Sequence, residues 1–130
     1  MSDLSTPLRR ARGLGSAKTG VGHFIGQRVS AVALLLLAPW ALWSGAHLAG
    51  HDYDRVRMWL ASPVNATLLV LAVLAGFYHG QLGLRVIIED YIGKHTTRTL
   101  LLILNTFVAA AAAALTVICI LGVSFGGGSV

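Results

Sequence analysis

Three long runs of apolar residues divide the chain, and each is long enough to cross a lipid bilayer. The first run, residues 29–49, contains no formally charged residue over its 21 positions. At about 1.5 Å per helical residue, this length crosses a hydrocarbon core of about 30 Å. Pro39 lies inside the run, where a membrane helix tolerates it as a kink. The pattern therefore predicts a transmembrane helix.

The second and third runs predict two further spans. The second carries no formal charge over residues 66–84, and its helix is expected to continue past Arg85 and to project beyond the bilayer. The third run is uncharged throughout and is the plainest of the three. We therefore predict an all-α membrane protein with three transmembrane helices. Its segments are an N-terminal tail at 1–28, spans at 29–49, 64–92 and 99–123, loops at 50–63 and 93–98, and a C-terminal tail at 124–130.

The distribution of basic residues predicts the orientation of these spans. Five lysines and arginines lie in the N-terminal tail and three, from Arg85 to Arg98, between the apolar parts of the second and third spans, against two in the first loop and none after the third span. By the positive-inside rule, the richer side is cytoplasmic. We therefore expect a cytoplasmic N-terminus and a periplasmic C-terminus. Three tryptophans fall toward the other end, as an interfacial aromatic belt would place them: Trp40, Trp43 and Trp59.

Composition narrows the class of protein further. With 55% hydrophobic and only 12% charged residues, the chain is suited to a lipid bilayer and not to a water-soluble domain. The net charge of +5 comes from residues at the ends of apolar runs, which argues against nucleic-acid binding. Cys119 has no partner for a disulfide within the chain. A cleaved signal peptide is the rival interpretation of the first run, but a 28-residue lead favours a retained span.

His79 is the first candidate for chemistry. It is the only ionisable side chain in the apolar part of the second span, roughly 9 Å inside Arg85. A polar group at this depth needs a partner. One interpretation is structural, a hydrogen bond to a serine or carbonyl of a neighbouring helix. The other is functional, axial ligation of haem iron by a neutral imidazole. Position alone leaves both open.

Asp90 and Tyr91 follow where the second helix meets water. Asp90 lies 11 positions after His79, which is three turns plus roughly 20°, so the two project from nearly the same face about 16 Å apart. A phenol at this border can donate a hydrogen bond to a quinone carbonyl, and a nearby carboxylate can pass protons. The structural alternative is a solvated helix end at which Asp90 pairs with Arg85 or Lys94.

Arg28 opens the first span on the same side of the membrane. As a structural residue it anchors the helix at the lipid headgroups. As a functional residue its planar fork of donors would pair with an anionic group such as a haem propionate. Gly76, Gly80 and Gly83 in the second span also have two interpretations, close helix packing or clearance for a flat cofactor.

The segments HFIGQRVSAVALLLL and FYHGQLGLRVIIEDY, followed by a third apolar helix, resemble a hydrophobic membrane anchor of bacterial succinate dehydrogenase, respiratory complex II. The likeness covers residues 9 to about 122, and the phrase RARGLGSAK is similar to the alphaproteobacterial branch. The resemblance implies that His79 is one axial ligand of a haem b shared with a second membrane anchor, which supplies the other. It also implies that Tyr91 and Asp90 belong to the ubiquinone site and that Arg28 lies near the haem propionates.

The same resemblance implies a role for the chain in the bacterial inner membrane. It would hold a flavoprotein subunit and an iron-sulfur subunit on the cytoplasmic face and form part of the site where ubiquinone is reduced. Alone it would not be catalytic, which agrees with its lack of cysteine clusters and Gly-rich nucleotide loops. Two alternatives are an anchor of a quinol:fumarate reductase and a haem-free packing or assembly subunit.

Overall fold

The computed structural model describes residues 6–12 and 20–126, and this part of the chain forms five α-helices and no strand. Three of them are long and apolar enough to cross a membrane, which confirms the predicted all-α fold with three spans. Parts of the predicted tails and most of the RARGLGSAK phrase lie outside the described residues. The helices are α1 (Pro7–Arg12), α2 (Gly20–Leu48), α3 (Tyr53–Leu60), α4 (Pro63–Tyr91) and α5 (His95–Phe125).

The long helices extend beyond the hydrocarbon core. Helix α2 begins at Gly20 and not at residue 29, and α5 begins at His95 and not at residue 99. A helix of 29 residues is about 43 Å long, which exceeds a hydrocarbon core of about 30 Å. A run without charge marks the depth of the hydrocarbon, whereas the backbone hydrogen bonds continue into the interface. Only residues 92–94 therefore connect α4 to α5, and the two helices are antiparallel neighbours.

Helix α4 is the middle helix of the three spans, because it packs against both α2 and α5. Polar side chains join it to α5 within the apolar region. Asn105 Nδ2 donates to the backbone carbonyl oxygen of Gln81 at 3.0 Å, and Gln81 Nε2 donates to Thr106 Oγ1 at 3.3 Å. Such bonds satisfy polar groups that lipid cannot satisfy. Helix α4 is thus held on both sides, and it carries His79 near its centre.

The predicted first loop contains the short helix α3, which ties the ends of the spans together. Ser124 Oγ of α5 donates to the carbonyl oxygen of Leu60 at 2.9 Å, and Asn65 Nδ2 of α4 donates to that of Trp59 at 2.9 Å. The Trp59 ring stacks on Trp40 of α2 with centroids 5.8 Å apart. Two of the three tryptophans expected in an interfacial belt thus contact each other across helices.

Few side chains of this chain are buried. In the most apolar stretch of each span, only 6%, 6% and 11% of the residues are buried. A helix that leaves so much apolar surface exposed is suited to a surrounding of lipid and further apolar helices. Six residues are buried within the described part of the chain, five of them apolar: Leu60, Ala66, Leu82, Ile88, Ile120 and the polar Ser30.

Candidate functional site

His79 forms a hydrogen bond with Ser30 of the neighbouring helix α2. The distance between His79 Nδ1 and Ser30 Oγ is 3.0 Å. Ser30 is only 5% exposed, whereas His79 is half-buried. The hydroxyl of Ser30 also lies 2.8 Å from the carbonyl oxygen of Gly26 and 3.1 Å from that of Gln27. The bond to a neighbouring serine, expected from the structural interpretation of His79, is confirmed.

This bond does not exclude a metal ligand at the same ring, because it uses only one of the two ring nitrogens. A hydroxyl has one proton, and the carbonyl of Gly26 is the shorter acceptor for it. Ser30 Oγ then accepts a hydrogen bond from Nδ1–H of His79. In that tautomer Nε2 carries the lone pair, on an edge of the ring that does not face Ser30. The arrangement suits ligation of a metal by Nε2.

Asp90 and Tyr91 lie at the end of α4, on the same unbroken helix as His79. Asp90 is exposed, and Tyr91 is 82% exposed. Arg85 Nε donates to Glu89 Oε1 at 2.9 Å, one helical turn along the same helix. Among the side chains that the structure describes, no basic group pairs with Asp90. The pairings of Asp90 expected for a solvated helix end are therefore not formed there.

Arg28 lies close to Ser30 along α2 but on another face. Its guanidinium carbon is 5.2 Å from the centroid of the Phe24 ring, a cation–π contact, and the residue is exposed. Residues two apart in a helix do not share a face, and they differ in height by about 3 Å. Arg28 is therefore at nearly the depth of His79, but the structure does not bring the two side chains together within this chain.

The three glycines of α4 have different surroundings. A Cβ atom added at Gly76 would lie 4.0 Å from Leu34 Cδ2 of α2, an ordinary packing distance. A Cβ atom added at Gly80 or Gly83 would meet nothing within 4 Å. Gly76 thus belongs to the contact between α2 and α4. Gly83, one turn after His79, lies beside open space that a flat group or another helix can occupy.

Sequence reasoning did not single out Gly26 or assign a role to Ser30. A Cβ atom at Gly26 would lie 2.6 Å from Tyr78 Oη, so the glycine allows the phenol of α4 to approach the backbone of α2. The available signal was the spacing of Gly22, Gly26 and Ser30, small residues at every fourth position of α2. Such a ridge favours close helix approach in membranes.

Two other features of the chain lie outside this site. A groove of about 310 Å³ between α4 and α5 is lined mainly by apolar side chains together with Gln81 and Thr106, and by none of the four predicted site residues. Among the described residues, no group of three or more His, Cys, Asp or Glu side chains could hold a metal ion. A single imidazole whose second nitrogen is hydrogen-bonded fits haem iron, which takes its other bonds from the macrocycle and a further ligand.

Three long apolar helices, with their charged residues toward the ends and one histidine inside the second span, define a multi-pass membrane protein. The sequence profile of the family described as succinate dehydrogenase/fumarate reductase transmembrane subunit matches residues 2–120. The chain therefore belongs to the succinate dehydrogenase/fumarate reductase transmembrane subunit family, and it is a protein of the bacterial inner membrane.

The relatives that this chain resembles include three proteins named succinate dehydrogenase hydrophobic membrane anchor subunit. The protein from Rickettsia conorii is 36% identical over 81% of this chain and 85% of its own length. The protein from Rickettsia bellii is 35% identical over 78% and 81%. The protein from Paracoccus denitrificans is 36% identical over 66% and 67%. No solved structure matches the chain at a significant level. The resemblance stated from the sequence is confirmed.

Proposed function

We propose that this chain is a membrane-anchor subunit of a succinate:ubiquinone oxidoreductase and supplies one axial ligand of a haem b. The carrying observation is the Ser30–His79 hydrogen bond, which engages Nδ1 and leaves Nε2 for iron. The chain's family includes relatives named as succinate dehydrogenase anchor subunits, which supports the proposed place of the chain in such a complex. A second membrane anchor would supply the other axial ligand. An iron-sulfur subunit and a flavoprotein subunit would complete the complex.

Three features of this chain would hold the haem. His79 Nε2 would bond the iron, and the open space beside Gly83 would admit the edge of the macrocycle. Arg28, at nearly the same depth and exposed, offers a planar fork of donors to a propionate of the bound group. When bound, the haem would supply a one-electron carrier within the membrane.

Tyr91 and Asp90 would form this chain's part of the ubiquinone site. The Tyr91 phenol would donate a hydrogen bond to a quinone carbonyl oxygen. This bond would hold the quinone ring in place and stabilise the negative charge that develops on that oxygen during reduction. Reduction of a quinone takes up protons as well as electrons. The Asp90 carboxylate, exposed and without an ion pair among the described residues, would receive protons from water and pass them toward the quinone. The high exposure of Tyr91 suits a pocket that other subunits complete.

The orientation of the chain would place this site beside the soluble subunits. The N-terminal tail and the α4–α5 connection carry most of the basic residues, so we assign both to the cytoplasmic side. Tyr91 ends α4 at that connection. The flavoprotein and iron-sulfur subunits would then dock on the face where Asp90 and Tyr91 emerge from the membrane.

Replacement of His79 tests the haem assignment. We expect His79→Ala to remove the haem b bands from the reduced-minus-oxidised absorption spectrum of the purified complex. The matched control is His51→Ala, because His51 is exposed and lies just after the C-terminal end of α2, where its ring contacts that of His47. The control should keep the spectrum of the natural complex. A normal haem spectrum in the His79 variant would refute ligation by this residue.

A haem-free packing subunit is the second candidate function, and the Ser30–His79 bond itself favours it. That bond already satisfies one polar group on each helix without any cofactor. The double variant Ser30→Ala, His79→Leu separates the two candidates, since removal of both partners of a hydrogen bond is nearly neutral for packing alone. A packing subunit would assemble as stably as the natural chain. A haem ligand would give a complex without haem and with a lower melting temperature.

An anchor of a quinol:fumarate reductase is the third candidate, because the family's description includes that enzyme. The architecture of this chain would be the same, and the reaction would run in the opposite direction. Comparison of succinate oxidation and fumarate reduction by the purified complex, with the redox potential of its bound quinone, distinguishes the two directions.

A further inference from the structure

Ser30 is the one polar side chain that is buried among the described residues. It lies in α2 within the membrane, where an unsatisfied hydroxyl costs free energy. Its proton is satisfied inside its own helix, since serine commonly donates to the carbonyl four residues earlier, and here that acceptor is Gly26 at 2.8 Å. Ser30 therefore does not need His79 as an acceptor for its proton. The lone pairs of Oγ remain available to His79.

Helix α4 also contacts α2 one turn before Ser30. Gly26, one turn before Ser30, lies where any Cβ would meet the Tyr78 hydroxyl, and Tyr78 is the residue directly before His79. The carbonyl oxygen of Gly26 thus accepts the Ser30 proton, and the missing side chain of Gly26 leaves room for the Tyr78 hydroxyl. Gly26 and Ser30 act at neighbouring turns of α2: the first gives Tyr78 room, and the second presents an oxygen to the His79 ring.

We infer that Ser30 is a positioning residue for haem ligation. By accepting the hydrogen bond from Nδ1–H, it fixes the tautomer and the rotation of the His79 ring, so that Nε2 presents its lone pair in one direction. This inference rests on the proposed haem ligation by His79. Hydrogen-bond acceptors at the second nitrogen make a histidine ligand more basic. A more basic ligand stabilises ferric over ferrous iron, so Ser30 lowers the midpoint potential of the haem.

The test is Ser30→Ala in the complete complex. We expect the haem midpoint potential to move to more positive values, because the ligand becomes less basic. We also expect faster transfer of haem to an excess of a haem-scavenging protein, because loss of such a partner usually lowers metal affinity by roughly 10- to 100-fold. Ser30→Thr keeps the hydroxyl and its bond to the preceding turn, so it should restore both values. Ser44→Ala in the same helix is the matched control.

The outcomes separate this inference from the proposed function. If His79→Ala removes the haem while Ser30→Ala leaves both the potential and the rate of haem loss unchanged, the positioning role is refuted and the ligand assignment stands. If His79→Ala keeps the haem, the ligand assignment itself fails. Should Ser30→Ala not assemble, Ser30→Cys has nearly the same volume and a poorer acceptor, and it should shift both values in the same direction. A Ser30→Thr complex that behaves like Ser30→Ala would also overturn the inference.

Discussion

Each of the two nitrogens of the His79 ring needs a bonding partner within the membrane. Every polar group in the hydrocarbon region needs a partner, because no water is present to replace one. The partner of Nδ1 is Ser30 Oγ, at 3.0 Å. We assign Nε2 to haem iron, which would be the second partner and remove the cost of an unpaired nitrogen. The structural and the functional interpretations of this histidine thus apply to different atoms of one side chain.

A single substitution at Tyr91 tests the proposed quinone site. Tyr91→Phe removes a single hydrogen bond donor, which is worth about 1 kcal/mol, so we expect quinone reduction by the complex to fall roughly fivefold. Succinate oxidation with an artificial dye should stay normal, since it needs only the soluble subunits. Tyr53→Phe is the matched control, because Tyr53 is also exposed but lies at the other end of the spans. Unchanged quinone reduction in the Tyr91 variant would remove this residue from the site.

Individual residues differ in how far the sequence predicts them. His79 stands out because an ionisable group inside an apolar run is rare and expensive. The Asp90–Tyr91 pair follows from its spacing to His79 and from the resemblance to a known family. The contact of Ser30 with His79 depends on how α2 is rotated against α4, and no local pattern encodes that rotation. Residue types predict the groups that need partners, but only the packed helices identify the partners.

Helix α4 presents different faces to its surroundings, and its glycines mark them. Gly76 contributes to the contact with α2, whereas Gly80 and Gly83 border open space. In the sequence the three glycines look alike, so close helix packing and clearance for a flat cofactor were both possible for each of them. They differ because helix periodicity turns each position to a different neighbour. The short helix α3 also escaped prediction, since its eight residues include charged ones and rules for spans search for long uncharged runs.

A substitution at Gly83 tests whether a cofactor uses the open face of α4. Gly83→Leu places a large side chain one turn from His79 in space that is open in this chain. We therefore expect normal membrane insertion but a haem content per purified complex lowered by at least half. Gly122→Leu is the control, because Gly122 of α5 is equally open and lies near the other end of the spans. Full haem content in the Gly83 variant would show that no cofactor uses this face.

In the described part of the chain, three long helices pack side by side with α4 in the middle, and few of their apolar side chains are fully buried. The charged side chains of these spans lie toward the helix ends. Such a chain is stable only in lipid or beside further apolar helices. The number of spans was predictable because each run is about as long as the hydrocarbon core is thick, whereas helix ends were not, because helices continue into the interface.

The orientation of the chain in the membrane can be tested by cysteine labelling. In a Cys119→Ala background, the engineered cysteines Asp54→Cys and Gly93→Cys lie in α3 and in the α4–α5 connection. With a membrane-impermeant maleimide, we expect Asp54→Cys to react in cells with an intact inner membrane. Gly93→Cys should react only after that membrane is opened. The reverse pattern would contradict the charge-based orientation and would place Tyr91 away from the soluble subunits.

The most direct test of the haem assignment is a cryo-electron microscopy map of the assembled complex in lipid. We expect a flat macrocycle beside Gly83 with its iron bonded to His79 Nε2, and a His79 Nδ1 that remains hydrogen-bonded to Ser30. A map in which the His79 ring faces lipid or another helix, with no iron at Nε2, would contradict the assignment.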